Sequence, residues 1–562
     1  MSDITSPVAD ATPSRAIQAQ FEREFDFIHV FERNARRFAN KIAASDPTIN
    51  RLLTYAQLNA LANKFANALY SDGLRKGDVF SVALFNTIEF IVAYLASEKL
   101  GAVFCPFNYN WSPNDIVYAF ADSRPKIFLY DAELEELVKR AYDIATQEHS
   151  YLPERRLIVG VPEEKLNVDA IDWEEYYANA SEENPATPDN VSTYDEIVRL
   201  YTSGTTGRSK GVPLSRMNEV MGCHEVAMRY PIFSDDVTIN TTPWFHRGGF
   251  HGGMTPTLYL GGEVVVLRRF NATVCLKNIQ KRRVTILLGV PSAALMVAHK
   301  QEKALLDIKS VRLLVMMGSD LEKATCRYLQ SIFLNVNFIN SYGTTETFLN
   351  TFLDSKSLPD KAGTAGRAAL DDDVRLVEPI EDGWGDPDKL VPKDKKTLGE
   401  VIVRCSTKTT AGYFNKPEET ARKFKYGYLY TGDLAYWDEE EFVTIVGRKD
   451  DMMISAGENI YPQPIEEALC RHPKISDCIV VPVSEMTRGQ ALVAYIKRSD
   501  DSLDVREILT FCMSSPYLSG FTTPRYYRFV EELPYTPTGK KQRYILRAQA
   551  PQDLKDGLLA RN

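Results

Sequence analysis

Ten consecutive residues, Thr202-Ser203-Gly204-Thr205-Thr206-Gly207-Arg208-Ser209-Lys210-Gly211, hold eight small or hydroxylated side chains and two bases. Glycines let a backbone turn its N–H groups toward an anion, hydroxyls add donors, and Arg208 and Lys210 add positive charge. A Gly/Ser/Thr run alone reads as a flexible turn; joined to two bases it reads as a cradle for phosphate. It is not a Walker A loop, whose ending is Gly-Lys-Ser/Thr, because Gly211 follows Lys210. An apolar strand ending at Tyr201 feeds the run, and an amphipathic helix is expected to follow.

The elements that must position such a loop are visible on both sides. LTYAQLNALANKFANALYSDGL places Leu58, Leu61, Phe65 and Leu69 at helical spacing and leads into the strand-like DVFSVALF. TIEFIVAYLASEK is helical again, and GAVFCPF and KIFLYD are strand-like. VTILLG, VRLLVMMG and VNFIN follow in the same βαβ grammar, which predicts an α/β fold of mainly parallel sheets covered by helices. Ligands of such sheets lie at the C-terminal strand ends. Residues 1–20 read as a flexible arm, 21–449 as one large body, and 450–562 as a small α+β domain. The charged, Pro- and Gly-rich stretch 378–398 reads as a surface loop.

With 66 Lys and Arg against 75 Asp and Glu, the 562-residue chain has a formal charge of −9. That excludes a protein built chiefly to coat nucleic acid or an anionic membrane, but phosphate ligands need only a few placed donors. The eight cysteines show no C-x-x-C pair and no zinc-ligand spacing, so a reducing, cytoplasmic setting is expected. No run of about 18 apolar residues predicts a membrane span. Neither a signal or transit peptide nor a C-terminal lipidation or peroxisomal tripeptide is expected.

The phosphate loop resembles the signature YTSGTTGxPKG of the adenylate-forming enzymes, which include acyl-CoA synthetases, amino-acid adenylation domains and beetle luciferases; it departs only in Ser209, where Pro is usual. Further motifs match in order. LTYAQLNALANKFANAL and KLGAVFCPFN resemble the early motifs, SYGTTET the Tyr-Gly-x-Thr-Glu motif, and YTGD the Gly-Asp motif. GRKDDMMISAGENIYPQPIEE resembles the hinge region and PYTPTGKKQR the C-terminal lysine motif. The resemblance runs from about residue 25 to 548.

It implies roles residue by residue. Thr202, Ser203, Gly204, Thr205, Thr206, Gly207 and Lys210 hold the phosphates, and Glu346 the Mg²⁺, for which one or two carboxylates plus nucleotide phosphates suffice. Tyr342 stacks on adenine, with Gly343 and Thr345 beside the phosphates. Asp433 binds the ribose hydroxyls, with Arg448 nearby on the ribose or phosphate. Gly318 and Ser319 line the adenine and acyl pockets, though a strand-end turn accounts for them as well. Trp244, His246 and Thr344 line the acyl pocket, within TTPWFHRGGFHGGM. Lys540 is implied as the catalytic cation. Attack of a carboxylate on the α-phosphate of ATP brings two negative charges together, and at an effective dielectric near 20 a cation about 4 Å away offsets roughly 4 kcal/mol, on the order of a thousandfold in rate. Lys541 beside it reads as a solvated surface lysine. Asp450 is implied as the hinge, with a charged surface turn as the alternative, and Gly457 lines a pantetheine tunnel.

The implied activity is formation of acyl-AMP from a carboxylic acid and Mg-ATP, then transfer to coenzyme A. A carrier-protein phosphopantetheine arm is the alternative acceptor; luciferase-like oxidation and a non-catalytic nucleotide sensor are further alternatives. Trp244, Phe245 and His246 leave no Asp for an α-ammonium, which points to a fatty or aryl acid. Arg247 and His251 either pair a second carboxylate or a polar group of the substrate, or one faces solvent while the other packs. Arg216, where relatives often carry His, is expected to matter little. The chain is expected to act as a monomer or homodimer, without nucleic acid or integral membrane association.

Overall fold

A computed structural model describes residues 12–160, 169–186, 188, 190–202, 209–380, 383–451, 453–455, 458–485, 489–515, 518, 522–536 and 541–561. Contacts divide the chain into two compact units: Met1–Gly363 with Ala369–Asp372 and Arg404–Arg422, and Thr364–Ala368 with Asp373–Val403 and Lys423–Asn562.

Two sheets organise the first unit. One runs Ile171–Asp172, Arg155–Val159, Pro125–Asp131, Val79–Ala83, Val103–Pro106, Glu196–Thr202, Lys210–Ser215. Every neighbouring pair is parallel except the last. The other passes through Phe348–Leu353, Asn337–Thr344, Leu313–Met317, Ile286–Gly289, Val237–Asn240, Glu263–Val265, Ile42–Asp46 and Arg51–Thr54. It is parallel from Asn337–Thr344 to Ile42–Asp46, with antiparallel strands at both ends. The expected strands are therefore present, and the α/β class with mainly parallel sheets is borne out.

Local chemistry explains the helices between them. Thr54 and Gln57 form a reciprocal capping box that starts Tyr55–Ser71. Ile88–Leu100 is buried on nearly every face, ends at Gly101 with φ +66°, and contributes packing all round its circumference. Residues 12–20, which composition assigns to an arm, lie in the helix Thr12–Glu24.

A helix follows the phosphate-loop region, Arg216–Arg229, but a strand comes between: Glu196–Thr202 pairs antiparallel with Lys210–Ser215, with Thr202 opposite Lys210. The two flanking strands thus pair as a hairpin. The Arg216 expectation fails, because this side chain is 2% exposed and pairs with Asp26 at 2.7 Å and Glu98 at 3.6 Å. It ties three helices together through charge.

In the second unit, Asp373–Val377, Gly399–Arg404, Tyr428–Trp437 and Phe424–Lys425 form one sheet, and Val443–Arg448 also pairs with Tyr428–Trp437. Farther along, Ile475–Glu485, Gly489–Arg498, Tyr526–Phe529 and Ala560–Arg561 form another, accompanied by helices Pro462–Leu469, Val505–Ser514 and Arg543–Lys555. The described part of 378–398 is irregular. Among the described residues no helix is long and apolar enough to cross a membrane.

Candidate active site

The Tyr-Gly-x-Thr-Glu motif is a hairpin turn between Asn337–Thr344 and Phe348–Leu353. Tyr342, Gly343 and Thr344 end the first strand, so they occupy the C-terminal strand end where ligands of parallel sheets sit. Gly343 has a local reason to be glycine: a Cβ there would lie 1.7 Å from the Phe348 carbonyl oxygen. Thr344 and Thr347 hydroxyls meet at 2.9 Å, and Thr347 Oγ1 donates to Asn350 Oδ1 at 2.7 Å. Asn350 in turn donates to Asp372, which carries Lys408 Nζ at 2.5 Å. Burial raises the Asp372 carboxyl to about 6 although Lys408 opposes it.

Glu346, half-buried at the tip, is held from two directions. Tyr413 Oη donates to its Oε1 at 2.6 Å, and the Thr410 N–H donates to its carbonyl at 2.8 Å. Arg247 donates to the Thr345 carbonyl beside it and, at 3.1 Å, to the Lys408 carbonyl. The arginine is 3% exposed, and burial lowers its pKa to about 9 against the raising influence of Glu346 and Glu219. His251, 2% exposed, lies with Nε2 2.8 Å from Glu219 Oε1, and burial followed by the nearby Arg247 charge lowers its pKa. Neither Arg247 nor His251 faces solvent.

Tyr413 also connects the turn to the phosphate hairpin. Lys210 Nζ lies 5.4 Å from its ring centroid and forms an ion pair with Glu419 at 2.6 Å. Sequence reasoning passed over Tyr413 and Glu419; the only signal was their closeness to Gly412 and Pro417 in AGYFNKPEE, which marks a turn and a helix start and no chemistry. Thr202 ends its strand opposite Lys210, while Ser203, Gly204, Thr205, Thr206, Gly207 and Arg208 lie outside the described residues.

The acyl-motif residues start a chain of short helical turns, Arg247–Gly249, Phe250–Met254 and Thr255–Tyr259. Trp244 is buried, edge-on to Phe90 at 5.6 Å, and its backbone N–H donates to Asn86 Oδ1 at 2.8 Å. His246 is half-buried at the N-terminal boundary of the first turn. Gly249 packs so closely that a Cβ would lie 2.1 Å from the Pro243 carbonyl. Gly318 follows Leu313–Met317 with φ +87°, a turn that glycine adopts without strain, and Ser319 comes next.

In the second unit Asp433 and Arg448 are register partners on adjacent strands, and Arg448 Nη1 donates to Asp433 Oδ1 at 2.9 Å. Asp450 lies in the short 3-10 turn Lys449–Asp451, and its carbonyl accepts from Arg547 at 2.9 Å. Lys540 and Gly457 lie outside the described residues. Lys541 is not the surface lysine expected: its side chain is 20% exposed, with Nζ 2.9 Å from Glu466, 3.0 Å from Asp477 and 2.6 Å from the Cys478 carbonyl. The Tyr535–Lys541 bridge and the Gln542 N–H on the Pro534 carbonyl close the base of its loop.

The chain is matched by a model for AMP-binding enzymes over residues 31–414 and by one for the AMP-binding enzyme C-terminal domain over 464–540. It is 30% identical to a feruloyl-CoA synthase of an Amycolatopsis species, the alignment covering 87% of this chain and 92% of the relative. It is 29% identical to a medium-chain fatty-acid–CoA ligase of Escherichia coli, with 92% and 89% covered. The crystal structure of ATP-bound MatB from Rhodopseudomonas palustris superimposes with a TM-score of 0.78 at 27% identity, covering 93% of this chain and 98% of that one. With the family model spanning more than half its length, and ligases of this kind aligned along nearly all of it, the chain belongs to the AMP-binding enzyme family.

Proposed function

We propose that this protein is an AMP-forming acid–CoA ligase that converts a fatty or aryl acid and ATP into acyl-AMP and pyrophosphate, then transfers the acyl group to coenzyme A. The carrying observation is the arrangement around Tyr413, which brackets the Glu346 carboxylate and the Lys210 ammonium with one side chain. A triphosphate and its metal need such a pair: a cation for phosphate oxygens and a carboxylate for the counter-ion.

The residues present suit Mg²⁺. Tyr413 engages Oε1 of Glu346, and among the described residues no hydrogen bond reaches Oε2, which suits single-oxygen coordination with phosphates completing the shell. When bound, the ion neutralises phosphate charge. The remaining work belongs to the chain. Lys210 exchanges Glu419 for phosphate, and Thr202 with Ser203, Gly204, Thr205, Thr206 and Gly207 supplies donors. Tyr342 takes the adenine face, with Gly343, Thr345, Gly318 and Ser319 around it. Asp433 accepts from ribose hydroxyls and Arg448 steadies it. Lys540 supplies the cation at the reacting centre, Asp450 serves as the hinge between half-reactions, and Gly457 borders the thiol's path.

Trp244, His246 and Thr344 border the acyl group. The absence of an acid at 244–246 fits a substrate without an α-ammonium. Arg247 and His251 already satisfy backbone carbonyls and Glu219, which disfavours a second carboxylate on the substrate. The feruloyl- and fatty-acid-activating relatives support aryl and aliphatic acids. A cytoplasmic location belongs to the same reading, supported by eight free thiols. The test is a pyrophosphate-release screen over aliphatic, aromatic and dicarboxylic acids, with and without CoA. Acid-dependent release followed by CoA-dependent thioester is expected for a monocarboxylic acid; turnover only with a carrier protein would replace CoA as acceptor.

A further inference from the structure

Two cysteines of the second unit lie side by side. Cys470 follows the helix Pro462–Leu469 and is partly exposed; Cys478 is buried on the strand Ile475–Glu485; their Sγ atoms are 3.8 Å apart. The pair borders the Lys541 cluster. Cys478 gives its carbonyl to Lys541 at 2.6 Å, and its Sγ lies 3.5 Å from the carbonyl of Glu466, whose carboxylate holds both Lys541 and Arg543.

The environment separates the two thiols chemically. Cys470 is held below the usual thiol range, first by its hydrogen bond with Cys478 and then by the Lys541 charge, against burial and the Asp477 and Glu466 carboxylates. Cys478 is pushed up by that same hydrogen bond and by burial. A partly exposed thiol favoured toward ionisation thus lies 3.8 Å from a buried one, the arrangement of a nucleophilic and a resolving cysteine.

We propose that Cys470 and Cys478 form a dithiol modification site for hydroperoxides, whose oxidation disturbs the Lys541 anchor and thereby adenylation. The Cys470 thiolate attacks one peroxide oxygen; the O–O bond breaks, hydroxide leaves, and Cys470 becomes a sulfenic acid. The Cys478 sulfur then attacks Cys470 Sγ, the S–O bond breaks, and water departs with the Cys478 proton. Counting the proton lost earlier by Cys470, two thiols and one hydrogen peroxide give one disulfide and two waters. Closing the sulfurs to bonding distance draws the end of Pro462–Leu469 toward Ile475–Glu485, between which Glu466, Asp477 and Lys541 are held. The effect on catalysis rests on the reading of Lys540, the residue before Lys541, as the adenylation lysine.

The full-length chain, reduced and desalted, is treated with a small excess of hydrogen peroxide, its free thiols are blocked, and it is digested with trypsin without reductant. Cleavage after Arg471 and Lys474 separates the two cysteines, so a disulfide appears as two joined peptides. The joined pair is expected before any other cysteine is modified, with at least tenfold slower acid-dependent pyrophosphate release. Both changes should be reversed by dithiothreitol and absent in Cys470→Ser. Oxidation spread over the other cysteines, or no joined pair, overturns the site. A joined pair with an unchanged rate overturns the coupling to Lys541. If Lys540→Ala itself leaves adenylation unchanged, the catalytic reading of Lys540 fails, while the peptide map still decides the thiol pair.

Discussion

Tyr413 concentrates the chemistry of the first unit in one phenol. Its hydroxyl fixes one oxygen of Glu346, and its ring lies under Lys210. Groups that orient a metal-binding carboxylate typically change metal affinity by about 10- to 100-fold when removed. Tyr413→Phe keeps the ring and deletes the donor, so it should weaken Mg-ATP binding roughly tenfold while leaving the KM for the acid nearly unchanged. Calorimetric titration of ATP at graded Mg²⁺ reads this without turnover. Identical Mg²⁺ dependence in wild type and variant would remove Tyr413 from the site. Lys540→Ala tests the other charge. It should slow acyl-AMP formation by about a thousandfold yet leave conversion of supplied acyl-AMP and CoA largely intact, because the ammonium matters only at the α-phosphate. Equal loss in both halves would sink that role.

At the scale of elements, the hairpin Asn337–Thr344 with Phe348–Leu353 is what aims Glu346. Its turn is strained, with Phe348 at φ +67°, and it closes only because position 343 lacks a side chain. Gly343→Ala should destabilise the first unit by about 1–3 kcal/mol, as overpacking does, and should weaken Mg-ATP binding along with it. A lowered thermal midpoint with unaltered nucleotide affinity would show that the strain is structural only. The strands themselves were legible in sequence because buried parallel strands are short apolar runs between turn signals, as in Leu313–Met317 and Ile286–Gly289. The strand Lys210–Ser215 was not. Pro213 interrupts its pattern, and a phosphate loop suggests a helix next. Lys541 and Arg216 were misjudged for a common reason: their partners, Glu466, Asp477, Asp26 and Glu98, lie 64 to 190 residues away in sequence. Periodicity carries no trace of such pairs.

For the whole molecule, charge distribution sets where phosphate can be drawn. Residues 451–562 hold 14 basic and 14 acidic side chains, so the net −9 belongs to residues 1–450. The six cations at 521–548 form a locally cationic strip in sequence, and the fold pairs four of them internally: Arg528 with Asp553, Lys541 with Glu466 and Asp477, Arg543 with Glu466, and Arg547 with the Asp450 carbonyl. A diffuse field therefore does little for phosphate, and the timing of individual lysines must do more. That places weight on the turn Lys449–Asp451, where Arg547 grips the Asp450 carbonyl. If Asp450 is the hinge, each half-reaction needs its own backbone conformation there, and fixing φ near −65° with proline removes the freedom to change. Asp450→Pro should retain acid-dependent pyrophosphate release within about threefold while thioester formation falls at least about tenfold. Rapid-quench assays of the two half-reactions, with supplied acyl-AMP for the second, measure the ratio directly. A ratio equal to wild type at any overall rate would assign Asp450 to an ordinary charged turn.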